Sequence, residues 1–224
     1  MFSDTMEDYL KAIYVLQTER GPPVSTSAIA EYLDKTPPTV TSMVSSLAED
    51  ELIDYEKYNG VELTEEGETV ALEVIRHHRL LETYLTEHLD YDWHEVHDEA
   101  DALEHHISEE FERRVAEALD NPTVDPHGDP IPGVELDPIE GDDAVRLTEF
   151  ATGDHVVVSR VSDRDEEELT YLEAAGITPG TELELTDIAP FGMVTVETAS
   201  GDEQSLPESV ARSIRVEPVD EAVA

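Results

Sequence analysis

Apolar residues at Met6, Tyr9, Leu10, Ile13, Tyr14 and Leu16 recur at helical spacing, so Asp4 to Thr18 reads as an amphipathic helix. Gly21-Pro22-Pro23 ends it. Ser25 or Ser27 can cap a second helix, Ala28 to Leu33, because a serine hydroxyl satisfies a free N–H of the first turn. Asp34-Lys35-Thr36 is a short turn, and Pro37-Pro38 suit the first turn of a third helix running to about Ala48. Helix, short turn, then a helix with small polar residues on one face is the pattern of a helix-turn-helix. Leu52 to Tyr58 and Val61 to Thr64 flank Asn59-Gly60, a dipeptide suited to positive φ, which predicts a hairpin. A hairpin placed there is a wing, so the first 64 residues read as a winged helix.

Glu65 to about His88 is a long amphipathic helix, and Trp93 to Leu119 reads as another, with a stripe at Val96, Ala100, Leu103, Ile107 and Phe111. Two such helices behind a winged helix suit a dimer interface, and a dimer suits two-fold DNA half-sites. Asn121 to Glu149, with PTVDPHGDPIPG, is rich in Pro, Gly and Asp and reads as a linker. From Thr152 the pattern changes to short β runs at His155–Val161, Glu182–Thr186, Met193–Val196 and Ile214–Val216, with a turn at Gly176–Gly180. These predict a small all-β domain, a barrel. The fold class is therefore α+β multidomain: a winged helix-turn-helix over 1–64, a helical dimerisation and metal-binding domain over 65–140, and a small β-barrel over 141–220.

Charge complicates this picture. The 224 residues include 55 acidic against 13 basic, a net charge of −42. The acids are spread among periodic apolar residues, which favours adaptation to a high-salt cytoplasm over a disordered acidic tail. Such a chain is an unexpected partner for DNA, whose phosphates dominate affinity. Yet PPTVTSMVSSLA, Pro37 to Ala48, carries no charge in a chain that is 30% charged. With no cysteine there are no disulfides, thiolate metal sites or cysteine nucleophiles. No apolar run reaches membrane-spanning length and no signal peptide is visible, so the expected location is cytoplasmic, with no membrane partner.

The segment HDEADALEHH, His97 to His106, carries the most chemistry. At about 100° per residue, His97, Asp101, Glu104 and His105 fall on one helix face beside the apolar stripe. Carboxylates with imidazoles suit a hard or borderline divalent cation. His78 and Glu82 lie one turn apart on the preceding helix, and Met6-Glu7-Asp8 adds carboxylate on the first. Read from the residues alone, the cluster fits either a metal site or a solvated acidic face.

Five segments together then resemble the diphtheria toxin repressor family of metal-dependent regulators, including its manganese-responsive branch. They are MEDYLKAIY (Met6–Tyr14), TPPTVTSMV (Thr36–Val44), RHHRLLETYL (Arg76–Leu85), HDEADALEHHIS (His97–Ser108) and PHGDPIPG (Pro126–Gly133). The resemblance runs from Met6 to about Val216, and the C-terminal part is similar to the FeoA-like, Src-homology-3-like barrel of longer members. It implies an activating site at Asp8, Asp101, Glu104 and His105, and an ancillary site at His78, Glu82 and His97, completed from the barrel by Asp165 and Glu168. Iron-responsive members carry methionine and cysteine where this chain has Asp8 and Asp101, and oxygen ligands favour Mn²⁺, with Fe²⁺ the second choice. Short manganese regulators carry a second carboxylate where this chain has Lys11, which counts against their closely spaced metal pair here.

The expected function is a metal-dependent DNA-binding repressor of metal-uptake genes, acting on double-stranded operator DNA as a homodimer. Metal would clamp the first helix, through Asp8, to the dimerisation helices. Thr36, Pro38, Thr39, Thr41 and Ser42 are the expected DNA-facing residues, with Lys35 and Lys57 on phosphates; the bland reading is that the hydroxyls only cap and solvate the helix. So few cations predict a shallow salt dependence. The competing classes are a metal-dependent hydrolase and an architectural DNA-binding protein, although neither HExxH nor a nucleophile elbow is present. No enzymatic activity is expected.

Overall fold

The computed structural model describes residues 2–139, 144–190 and 192–219, so the expected domain boundary at 140–141 lies outside them. Two compact units interleave along the chain: Met1–Leu81 with Asp101–Thr123 and Ile131–Gly141, and Glu82–Ala100 with Val124–Pro130 and Asp142–Ala224. No helix among the described residues is long and apolar enough to cross a membrane.

The first unit begins with α1 (Asp4–Arg20), capped by Ser3 and buried along Tyr9, Leu10, Ile13 and Leu16. Ser25 caps α2 (Thr26–Tyr32) by accepting from Ala28 N at 3.1 Å, a contact that stabilises by about 1 kcal/mol. α3 (Pro37–Glu49) follows a short turn and buries Val40, Val44 and Leu47 while its remaining face stays exposed. These helices share one core with Ile29, Leu52, Val61 and Leu72.

β1 (Ile53–Glu56) and β2 (Gly60–Leu63) pair antiparallel, with Glu56 opposite Gly60. The expected two-residue Asn-Gly turn is therefore a three-residue tip, Lys57-Tyr58-Asn59, with Tyr58 at φ 73°. Gly60 is instead spent on a close approach. Val24 and Val61 exchange two backbone hydrogen bonds of 2.8 Å, and a Cβ at Gly60 would lie 2.7 Å from Val24 O.

α4 (Glu65–Leu89) matches the expected long helix, but the next one does not run unbroken. α5 (Val96–Leu103) ends before His105, and α6 (Glu109–Ala118) restarts after Ser108, whose hydroxyl accepts from Phe111 N at 3.3 Å. Ser108 followed by Glu109, Glu110 and Glu112 is an N-terminal helix signal, since carboxylates favour the positive end of the helix dipole. The predicted stripe breaks accordingly: Val96 and Ala100 are buried, whereas Phe111 is exposed. The segment from Ile131 is no free linker either. Leu136 and Ile139 pack on the first core, Ile139 N donates to Tyr14 Oη at 2.9 Å, and Arg76 donates to Pro132 O at 2.6 Å and Glu112 at 2.5 Å.

The second unit is built on a six-stranded antiparallel sheet in the order β3-β8-β4-β5-β6-β7. Its strands are Val145–Arg146, Ile214–Pro218, His155–Val161, Glu182–Ile188, Val194–Thr198 and Glu203–Leu206 in that order. Alternating residues such as Val156, Val158, Leu183, Leu185, Val194 and Val196 face its core, and register shifts at Val158/Arg160 and Leu185/Asp187 bend it. The all-β expectation missed α7 (Glu166–Ala174) and α8 (Glu208–Ser213), which add Leu169, Leu172, Val210 and Ala211 to that core.

Candidate metal centres and DNA-reading surface

In the first unit, α1 delivers Asp8 and Lys11 to one side of a cluster completed by His78 of α4, Asp101 and Glu104 at the end of α5, and His105 in the turn beyond. The break after Leu103 is what turns His105 toward α1. Its Nε2 is 2.9 Å from Asp8 Oδ1 and 3.5 Å from Glu104 Oε1, and its Nδ1 is 2.7 Å from Glu7 Oε2. Asp8, Glu104 and His105 thus offer three converging donor atoms. Glu104 is 1% exposed and the Asp8 side chain 48%, so one carboxylate anchors the site and the other opens to solvent.

Protonation follows from these contacts. Burial opposes charging of His105, but its hydrogen bond to Glu7, with Glu104 and Asp8 close by, outweighs burial and raises its pKa. Burial likewise raises the Asp8 pKa, against the pull of His105. A divalent ion would replace the His105 Nε2 proton, while Glu7 goes on holding Nδ1–H and so fixes the ring. The donor set therefore fits a hard or borderline divalent cation.

Lys11 fills the other half of the cluster. Its Nζ lies 3.0 Å from Asp101 Oδ1, 2.8 Å from Glu104 Oε2 and 3.1 Å from His78 Nδ1. Burial opposes its charge, yet Glu104 and Asp101 hold its pKa well above the usual lysine value. His78 directs Nδ1 at Glu104 Oε2, 2.6 Å away.

In the second unit, Glu82 is fully buried at the centre of two small groups. Its Oε1 is 3.4 Å from His97 Nδ1, which also lies 3.3 Å from Asp163 Oδ2. His97 thus lies beside Glu82, the pairing that the family resemblance implied for the ancillary site. Asp165 accepts from Glu168 N at 3.0 Å and caps α7, so the barrel carboxylate beside Glu82 and His97 is Asp163, not Asp165 or Glu168.

Glu82 also faces His127, which is 0% exposed. His127 Nδ1 makes no hydrogen bond and lies 3.6 Å from Glu82 Oε2, too far for a good one. Burial opposes its protonation, but Glu82, with Asp125 and Asp163 beyond, prevails and raises the pKa to about 9. A buried imidazole nitrogen facing a buried carboxylate at this distance suits an ion pair through the proton, and the same two groups with Asp125 could hold a cation. The segment holding it is built locally. Asp125 Oδ1 accepts from His127 N and Asp129 N, both at 2.9 Å, His127 Nε2 contacts Trp93 O at 2.9 Å, and Val161 N donates to His127 O. A Cβ at Gly128 would lie 2.1 Å from Ser159 O, so the close approach of this turn to β4 requires glycine. Asp125, His127 and Asp163 escaped the sequence reading, and Glu7 entered it only within Met6-Glu7-Asp8, with no role of its own. The motif PHGDPIPG was visible, but its Pro and Gly content read as linker.

Lys35, Thr36, Pro38, Thr39, Thr41 and Ser42 are all exposed around the start of α3, and Lys57 is exposed at the wing tip beside Tyr58. A shallow concavity of about 800 Å³ runs along α3 past Pro37, Pro38, Thr41 and Ser45. In the free protein Thr41 donates to Pro37 O and Thr36 pairs with Thr39, so these hydroxyls are locally satisfied and exchangeable.

Residues 1–61 match the iron dependent repressor N-terminal DNA binding domain, 64–133 its metal binding and dimerisation domain, and 145–218 the FeoA domain. The chain is 40% identical to the iron-dependent repressor IdeR of Mycobacterium tuberculosis, over 96% of this chain and 98% of that protein. It is 33% identical to the diphtheria toxin repressor of Corynebacterium diphtheriae, over 96% and 97%. Among solved structures, a manganese-dependent transcriptional repressor in complex with manganese superposes with a TM-score of 0.87 at 37% identity, covering 96% of this chain and all of that one. ScaR with bound Zn²⁺ gives 0.81 at 33%, covering 96% and 99%. The chain belongs to the iron-dependent repressor family, that of the diphtheria toxin repressor, and carries its DNA-binding domain, its metal-binding and dimerisation domain, and a FeoA domain in that order.

Proposed function

We propose that the protein is a metal-dependent transcriptional repressor that binds operator DNA as a homodimer, with Mn²⁺ as corepressor and Fe²⁺ as the second candidate. The observation carrying this is the meeting of Asp8, on the first helix of the winged-helix core, with His105 and Glu104 at 2.9 and 3.5 Å around one imidazole nitrogen. Asp8, Glu104 and His105 would hold a divalent ion, which would supply the positive charge that offsets their mutual repulsion. Asp8 then holds α1, Glu104 and His105 hold the end of α5, and Glu7 keeps the His105 ring oriented. The DNA-competent arrangement is favoured in proportion to its tighter hold on the ion. The all-oxygen and imidazole donor set favours manganese.

On DNA, the uncharged start of α3 meets the major groove without carrying carboxylates toward phosphate, and Lys35 and Lys57 contact the backbone. Dispersed acidity elsewhere suits a cytoplasm of high salt. Membership of a repressor family supports a regulator without catalytic activity, not a hydrolase.

The test is fluorescence anisotropy on a duplex selected from a random pool by the Mn²⁺-loaded protein, at molar KCl with chelator controls. Affinity is expected to rise on the order of 10- to 100-fold with Mn²⁺, less with Zn²⁺. Equal binding with and without metal, or an Asp101→Ala variant with the wild-type response, would overturn this mechanism.

A further inference from the structure

Tyr58, in the middle of the wing tip, is 95% exposed, more than any other large hydrophobic side chain among the described residues. Its φ of 73° is one that bulky residues rarely adopt, and glycine or asparagine would hold the position at lower cost. Lys57 Nζ sits 5.2 Å from its ring centroid, an exposed cation–π contact too weak to offset that backbone strain. The tip is nevertheless firmly placed. The β1–β2 ladder runs up to the Glu56–Gly60 pair, Gly60 packs closely on Val24, and Ile53 and Val61 share a core with Val40 and Val44 of α3. Behind the tip, Asp54 lies opposite Glu62, with Glu56 two residues on, and all three are exposed. Those carboxylates repel one another and would repel phosphate, so the strands are barred from lying along a DNA backbone. Lys57-Tyr58-Asn59 is the part of the wing that can approach a polyanion.

We infer that Tyr58 reads sequence: its ring enters the minor groove next to the stretch of major groove that α3 occupies, with Lys57 on the phosphates at the groove's edge. This rests on the DNA-binding reading of α3. The minor groove is about 6 Å wide, narrows in A·T tracts and carries its strongest negative potential there. A flat ring enters such a slot edge-on, and burying it against the sugars covers apolar surface that the free protein leaves bare. The Tyr58 hydroxyl can donate to the acceptors that A·T and T·A pairs present, whereas the amino group of guanine fills the same place. The wing thereby separates A·T from G·C beside the α3 contacts, a distinction that the small hydroxyls of α3 do not reach.

The test uses the intact protein with Mn²⁺ and its selected duplex, in which 2,6-diaminopurine replaces adenine pair by pair. That base adds an amino group in the minor groove and leaves the major-groove face of the pair unchanged. Anisotropy is expected to show wild type weakened on the order of 10-fold at pairs flanking the α3 contacts. Tyr58→Ala is weakened to a similar degree on the unmodified duplex and is indifferent to the added amino group. It loses the same factor with and without Mn²⁺, since the metal ligands are untouched. Tyr58→Gly melts at or above wild type in chelator while binding DNA as poorly as Tyr58→Ala, a divergence that a purely structural role would not produce. Wild-type affinity in Tyr58→Ala, or a wild type indifferent to diaminopurine at every pair, overturns the inference and leaves the functional reading standing. A Tyr58→Gly that melts well below wild type does the same, by placing Tyr58 in the fold. If wild type selects no duplex with or without Mn²⁺, the functional reading falls and the inference with it.

Discussion

The two clusters solve the same problem with different cations. Each is organised around a buried carboxylate, Glu104 in one unit and Glu82 in the other, which would be costly without positive charge nearby. Beside Glu104 the chain supplies Lys11, whose charge is covalently attached and persists at every physiological pH. Beside Glu82 it supplies imidazoles, and the charge on His127 comes off at about pH 9. The first cluster therefore holds a fixed positive charge, whereas on the proposed reading the second would exchange its proton for an ion. The first also takes Asp8 from the helix that opens the winged helix, which is why the proposed function assigns control of DNA binding to it.

The sharpest way to break this contrast is to remove one imidazole from each cluster. His105→Ala is expected to abolish the metal-dependent gain in operator affinity, on the order of 10- to 100-fold, measured by anisotropy with and without Mn²⁺. His127→Gln should lower Mn²⁺ affinity yet keep most of that gain. Comparable loss of the gain in both variants would erase the distinction.

A smaller effect is pH-dependent stability in the metal-free protein. His127 titrates near 6.5 when unfolded and about 9 when folded, so its contribution is complete below pH 6.5 and lost as pH rises toward 9. The loss should amount to at most about 3 kcal/mol, read from urea unfolding in chelator at fixed high salt. His105 adds a slope of the same sign, so the difference between wild type and His127→Gln isolates the second cluster. A His127→Gln profile as steep as wild type would refute the assignment.

The smallest effect separates two neighbouring acids. Asp163→Asn should weaken Mn²⁺ binding in the second unit on the order of 10-fold, seen by calorimetry, with little effect on melting in chelator. Asp165→Ala should do the reverse, costing about 1 kcal/mol of stability through the lost α7 cap and leaving metal affinity unchanged. Identical behaviour of the two variants would mean that the register of this loop differs from that described.

Local rules made much of the chain legible before folding. Helical periodicity placed α1 and α4, serine capping placed α2, and the charge-free run marked α3 as the candidate DNA-facing segment. Alternation placed the central strands of the sheet, and donor chemistry in HDEADALEHH gave His97, Asp101, Glu104 and His105 as ligand candidates. These features depend on residues a few positions apart, which is the range over which sequence speaks directly.

Partnership across the chain was decided only by the tertiary structure. The predicted long helix ends at Leu103 and restarts after Ser108, and the turn between them sets His105 against Asp8, while His97 on α5 lies beside Glu82 and Asp163. Lys11 read as a mere departure from a motif until folding set it against Asp101 and Glu104, 90 and 93 residues away in sequence. His127 looked like linker because proline and glycine break periodicity whether a turn is solvated or buried. Its role follows from Gly128 meeting β4 and from the Asp125 turn, which bury an imidazole opposite Glu82. Spacing along a chain fixes which residues share an element; which charges must neutralise one another is settled only when the elements pack.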